Sequence, residues 1–246
     1  MRDNNRTIVH NMNDSTANAG STARQPQQGG PPLVVLASIS FALLIGGIGI
    51  GVAVAGVPPS PFASGTSVTD FFAAHPVAAQ VAAVGVFGSS VPLAIYAATV
   101  SARLRQLGVT APGATIALAG GVLAAGALGL AGLLLWTLSR PEVSAAGPLV
   151  RMLYYLVFLT GGPGHVVLLG LLIAGIAVPS LILGLLPKPV AWAGLVIAAI
   201  AEVTTLVLIW PPLMVLLPVA RIPGLLWLVA AGAQLPLRRP RRAVES

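Results

Sequence analysis

Between Gln25 and Leu237 the chain carries only nine charged residues. Seven of them, Asp70, Arg103, Arg105, Arg140, Glu142, Arg151 and Lys188, stand where apolar runs end. The other two, Glu202 and Arg221, lie inside apolar runs. A water-soluble domain of this size needs far more surface charge, since soluble chains hold roughly 25% charged residues and this one holds 8%. Runs above about 18 apolar residues read as membrane spans. The distribution therefore predicts an all-α, polytopic membrane helix bundle. The apolar runs lack the alternation of barrel strands and are too long for them.

Residues 1–32 are rich in Asn, Ser, Thr, Gln, Gly and Pro and bury little apolar area, so they read as a disordered tail. A signal peptide is the rival reading, because Ala53-Val54-Ala55 imitates a cleavage site. The run from Leu33 to Gly56 is longer than the apolar region of such a peptide and reads as a first span. Further spans are expected at about 76–100, 114–138, 163–187, 190–210 and 213–236. Residues 57–75 read as a loop, with Phe71 and Phe72 at the lipid interface. Residues 152–187 are free of charge, too long for one span and too short for two. Gly161-Gly162-Pro163-Gly164 should interrupt that run, leaving about 149–160 as a short interfacial or re-entrant segment. The expected organisation is a 1–32 tail, a 33–236 six-span domain and a basic 237–246 tail.

Basic-residue asymmetry supports six spans with both termini on the cytoplasmic side. Arg2, Arg6, Arg24, Arg103, Arg105, Lys188 and the four C-terminal arginines then lie inside, and only Arg140 and Arg151 outside. The net charge of +7 reads as a topology anchor rather than a nucleic-acid surface. Arg238, Arg239, Arg241 and Arg242 have no interleaved aromatic residue for stacking on bases. Twelve of the thirteen basic residues are Arg, which suits a GC-rich bacterial genome and hence a bacterial cytoplasmic membrane.

Two stripes of small residues, Gly47, Gly51 and Ala55, then Gly121, Ala125 and Gly129, invite close helix approach. Pro92 should kink the second span and free a carbonyl near Gly88. Trp136 should mark an interface.

Glu202 and Arg221 are the leading candidate site. An isolated charge at that depth costs on the order of 3 kcal/mol, and the two reach similar depths from the outer side on successive spans. They are expected to pair, either as a binding or ion-coupling site or as a structural link. His165, after the glycine-rich break, is a possible third member; its alternative is an interfacial histidine beside a helix start. His75 and His165 are a weak candidate pair of haem ligands, with no signature spacing. Ser89 or Ser90 with His165 lacks the motif of a nucleophilic dyad. No metal site, cofactor or catalytic residue is assigned, and the chain has no cysteine for thiol chemistry.

The C-terminal third holds Gly162-Pro163-Gly164-His165, Leu186-Pro187 leading to Ala191-Trp192-Ala193-Gly194, and Arg221 through Gly224-Leu225-Leu226-Trp227-Leu228. These pieces resemble a bacterial multi-span membrane family catalogued as domain of unknown function 4386. The resemblance implies a multi-span fold and no particular activity. The expected function is non-enzymatic: binding or moving a small solute, lipid or proton through an outward-facing polar cavity. The alternatives are a scaffold subunit docking a membrane partner, or a second copy, through small-residue helix faces, and a haem-bearing redox protein.

Overall fold

The computed structural model describes residues 31–63, 66–110, 112–144 and 147–237. The expected disordered tail and the C-terminal arginine cluster lie outside the described residues. Within them the chain is helical with no strand. Six segments are long and apolar enough to cross a membrane: Leu33–Ala55, Pro76–Gln106, Gly113–Leu138, Gly147–Leu183, Lys188–Leu208 and Pro211–Gln234.

The long helices are α1 (Leu33–Ala55), α3 (Pro76–Gln106), α4 (Gly113–Leu138), α7 (His165–Leu183), α8 (Lys188–Val203) and α9 (Leu216–Gln234). Shorter helices are α2 (Ser67–Ala74), α5 (Pro141–Ser144) and α6 (Gly147–Leu159). The 57–75 region, expected as loop, thus contains α2. Thr66 Oγ1 donates to Asp70 Oδ2 at 2.6 Å across its first turn, and Val68 and Phe72 fasten it to Leu138 and Val150.

Small residues set the packing. A Cβ on Gly85 of α3 would lie 2.5 Å from the Gly47 Cα of α1. A Cβ on Gly132 of α4 would lie 2.7 Å from the Phe87 amide nitrogen of α3. On α7, a Cβ on Gly175 would lie 2.5 Å from the Ala117 nitrogen of α4. Lipid is as apolar as leucine, so close backbone approach and dispersion contact, rather than exclusion of water, hold such helices together. Gly47, Gly51, Gly121 and Gly129 all face neighbours within this chain. The two stripes are therefore consumed internally.

Buried hydroxyls tie the helices further. Ser40 Oγ on α1 donates to the Ser89 carbonyl, three residues before Pro92, at 2.8 Å. Tyr96 Oη donates to the Leu228 carbonyl at 3.0 Å. Ser101 Oγ donates to the Ala114 carbonyl at 2.7 Å. Trp227 Nε1 donates to the Val190 carbonyl at 2.7 Å and lies over Gly194. Trp136 is exposed as expected, with the Arg140 guanidinium 4.4 Å from its ring centre.

The fourth apolar run breaks where the glycines predict. Residues Thr160–Gly164 form a π-helical turn between α6 and α7, and Gly162 has non-helical angles (φ −87°, ψ −109°). The broken helix runs antiparallel to α4. Val150 clusters with Leu138 at one end, Gly161 meets Ala131, and Pro179 meets Gly113 at the other end. Helix α6, at the place of the expected short 149–160 segment, forms with α7 one 37-residue apolar segment that runs beside the 26-residue α4. The last run also begins brokenly, as a 3-10 turn (Pro211–Val215) before α9.

Candidate functional site

The π turn creates an acceptor for Arg221. In a regular α-helix the His165 amide would donate to the Gly161 carbonyl. Here it donates to Thr160 and Gly162 instead. Arg221 Nη2, from α9, donates to the Gly161 carbonyl. Arg221 Nε is buried without a partner. Sequence reasoning had no direct signal for this contact, because a backbone carbonyl belongs to every residue. The coincidence of Gly-Gly-Pro-Gly and an arginine in apolar runs was the available hint.

Arg221 lines a cavity of about 430 Å³. Its walls come from α1 (Leu44, Ile48, Val52), α3 (Ala78, Ala82, Val86), α4 (Leu128, Ala131, Leu135), α6 (Tyr154, Val157, Phe158) and the start of α9. No acidic residue and no charged side chain other than Arg221 is among the lining residues. The expected polar cavity is thus replaced by an apolar one with a single cation. The lining residues Ile45, Pro218 and Ile222 are also exposed. The cavity therefore reaches the surface between α1 and α9, which meet at their other ends where Gly232 abuts Leu33.

Phe71, Phe72, Tyr154 and Phe158 form an aromatic part of the cavity wall. Phe72 stacks edge-on against Tyr154 (5.1 Å) and Phe71 (5.5 Å). Phe62 contacts Phe158 (5.4 Å) and Tyr155 (5.7 Å). Tyr154 Oη donates to the Pro59 carbonyl at 2.9 Å, and Arg151 donates to the Ala63 carbonyl. Residues 59–63 are thereby strapped to α6. Phe71 and Phe72, expected at the lipid interface, pack inward instead; Phe72 is buried.

Glu202 does not join Arg221. It is exposed on α8, whereas its neighbour Ala201 is buried with Val166, Leu217 and Ala220. The expected ion pair is absent from the described residues, since the two side chains leave their helices in different directions. The matched depth was legible from chain position; the rotation of each helix was not.

His165 is fully buried, with Nδ1 3.0 Å from the Ala124 carbonyl near the middle of α4. It is a buried residue within the helix bundle rather than one at an exposed helix start, since the π turn and α6 precede it. Its Nε2 has no partner. The ring does not line the cavity. His75 sits elsewhere, at the end of α2, with its ring 5.1 Å from Phe71. Ser89 and Ser90 donate to the Val86 and Phe87 carbonyls of their own helix. No group of three or more potential metal ligands occurs among the described residues.

No family model, curated protein or solved structure matches this chain. The class of protein that the fold supports is a multi-span membrane protein with an apolar intramembrane cavity.

Proposed function

We propose that the protein binds an anionic amphiphile, a lipid or long-chain acid, with its head at Arg221 and its chain along the apolar walls. The observation that carries this reading is the uncompensated guanidinium in an otherwise uncharged cavity. A buried cation that lacks an anion is costly. An anionic head would compensate it and satisfy the free Nε–H, while the walls would accept a hydrocarbon chain. The volume falls within the ordinary range for ligand sites, about 300–1,000 Å³. Openness between α1 and α9 suits entry of a ligand from the bilayer rather than from water. The reading takes the lipid from among the solute, lipid and proton that the sequence left open. It sets the protein in a bacterial cytoplasmic membrane with both termini inside, acting as a lipid-binding or lipid-moving component without chemistry of its own.

The test is displacement of cis-parinaric acid from the purified protein by palmitate, by phosphatidylglycerol and by uncharged methyl palmitate. The two anionic ligands should compete and the ester should not. Arg221→Gln should remove that preference, and Ala82→Phe, which fills the cavity, should reduce binding of every chain. Equal competition by the ester, or binding untouched by both variants, would refute the reading.

A further inference from the structure

Glu202 is a charge at membrane depth that the fold leaves bare. A Cβ on Gly170 would lie 2.7 Å from Ala201 Cβ, so α8 and α7 touch there. On its own span, Lys188–Leu208, Glu202 lies about 21 Å of helical rise from the Lys188 end, and the 3-10 turn Thr204–Leu208 continues beyond it. Glu202 therefore sits well inside the span. A glutamate has too short a stem to snorkel from there to the headgroups. Its carboxylate is exposed and makes no hydrogen bond or ion pair among the described residues. Around it on α8, Val196, Ala199 and Val203 are exposed and apolar, and Thr205 and Leu206 are exposed on the 3-10 turn that follows.

We propose that this face of α8 docks a transmembrane helix of another protein that carries a Lys or Arg level with Glu202. Charge complementarity selects the occupant. A carboxylate well inside the span is stabilised by a cation held at the same level, which lipid tails do not provide. A second copy of this chain does not supply one either. Its cation at that depth, Arg221, faces its own cavity and is engaged with Gly161. A two-fold symmetric contact at this face would set Glu202 against Glu202. The apolar residues around Glu202 would pack on the partner helix and exclude lipid from the pair. The proposal is independent of the cavity and of its ligand.

Two experiments test it on the full-length protein. A photo-crosslinking residue at Ala199 or Val203 should, in native membranes, yield a product whose sequenced partner peptide is an apolar span with one basic residue at the matched level. Glu202→Gln should reduce that yield about tenfold, while a crosslinker at exposed Val178 on α7 gives products independent of Glu202. Products with a second copy, products with lipid alone, or a yield unchanged by Glu202→Gln would overturn the proposal. In liposomes, a synthetic polyleucine helix with one central Arg should show energy transfer to the labelled protein. The all-leucine helix should not, and Glu202→Gln should abolish the signal while leaving the melting temperature in detergent unchanged. Absence of transfer with the Arg-bearing helix would equally overturn it.

Discussion

Arg221 on α9 holds the carbonyl of Gly161, which the π turn between α6 and α7 has released from its own helix. The same guanidinium lines the apolar cavity. A cation and a broken helix are thus coupled, and the cavity inherits its single charge from that coupling.

Arg221→Met should abolish stabilisation by anionic ligand. A ligand at a hundred times its dissociation constant stabilises the native state by about 2.7 kcal/mol. Wild-type protein should therefore melt several degrees higher with saturating palmitate, and the variant should not. Without ligand, Arg221→Met should change stability little. Removing a partly satisfied buried charge offsets the unpaired Gly161 carbonyl, each worth about 1–3 kcal/mol. Thermal unfolding in detergent, with and without ligand, measures both effects.

Gly85→Ala should destabilise the α1–α3 contact. The new Cβ would lie 2.5 Å from Gly47 Cα and 2.6 Å from the Leu43 carbonyl, and backbone atoms cannot yield as side chains do. Overpacking of this kind costs about 1–3 kcal/mol. Gly46→Ala, on α1 beside Gly47 and with no atom of a neighbouring helix within 4 Å of the added group, should be neutral or slightly stabilising. A comparison of apparent melting temperatures separates a packing glycine from an incidental one.

Replacing both Gly162 and Pro163 by Ala should straighten the fourth span. The change restores an amide at 163 and removes the ring that disrupts regular helix. The chain has no cysteine, so spin labels at Met152→Cys and Val178→Cys report without interference. A regular helix would put those positions about 39 Å apart. The parent should show a shorter distance and the double variant a longer one, together with weaker binding of anionic ligand as Gly161 turns back into its helix. An unchanged distance would place the cause of the break in the neighbouring helices.

Topology is testable in the same thiol-free background. Ser67→Cys should react with an impermeant maleimide in intact cells, and Gln106→Cys only after the membrane is opened. The expectation rests on the excess of Arg and Lys on one side of the six spans. Labelling of Gln106→Cys in intact cells would invert the arrangement.

The sequence by itself determined the number of spans, the approximate ends of five of them and the place of the break; the fourth, expected from about 163, begins at Gly147. Length, charge and Gly-Pro chemistry are local properties that a bilayer constrains directly. It also placed Glu202 and Arg221 at matching depth, since rise per residue converts position into height. It marked Gly47 on α1 and Gly121 and Gly129 on α4 as packing residues, but not Gly85 or Gly132, where the helices come closest. Only the tertiary structure decided which way each side chain turns. In a soluble helix an apolar stripe announces the buried face. Here lipid and protein interior are both apolar, so hydrophobicity does not separate the two sides of α1 and α4, and only small residues such as Gly47 and Gly121 mark the packed face. Arg221 turns into the cavity, where it holds the Gly161 carbonyl, and Glu202 turns outward while Ala201 meets Gly170. Those two rotations separated a pair that the sequence placed together, and they depend on how α7, α8 and α9 pack as a group.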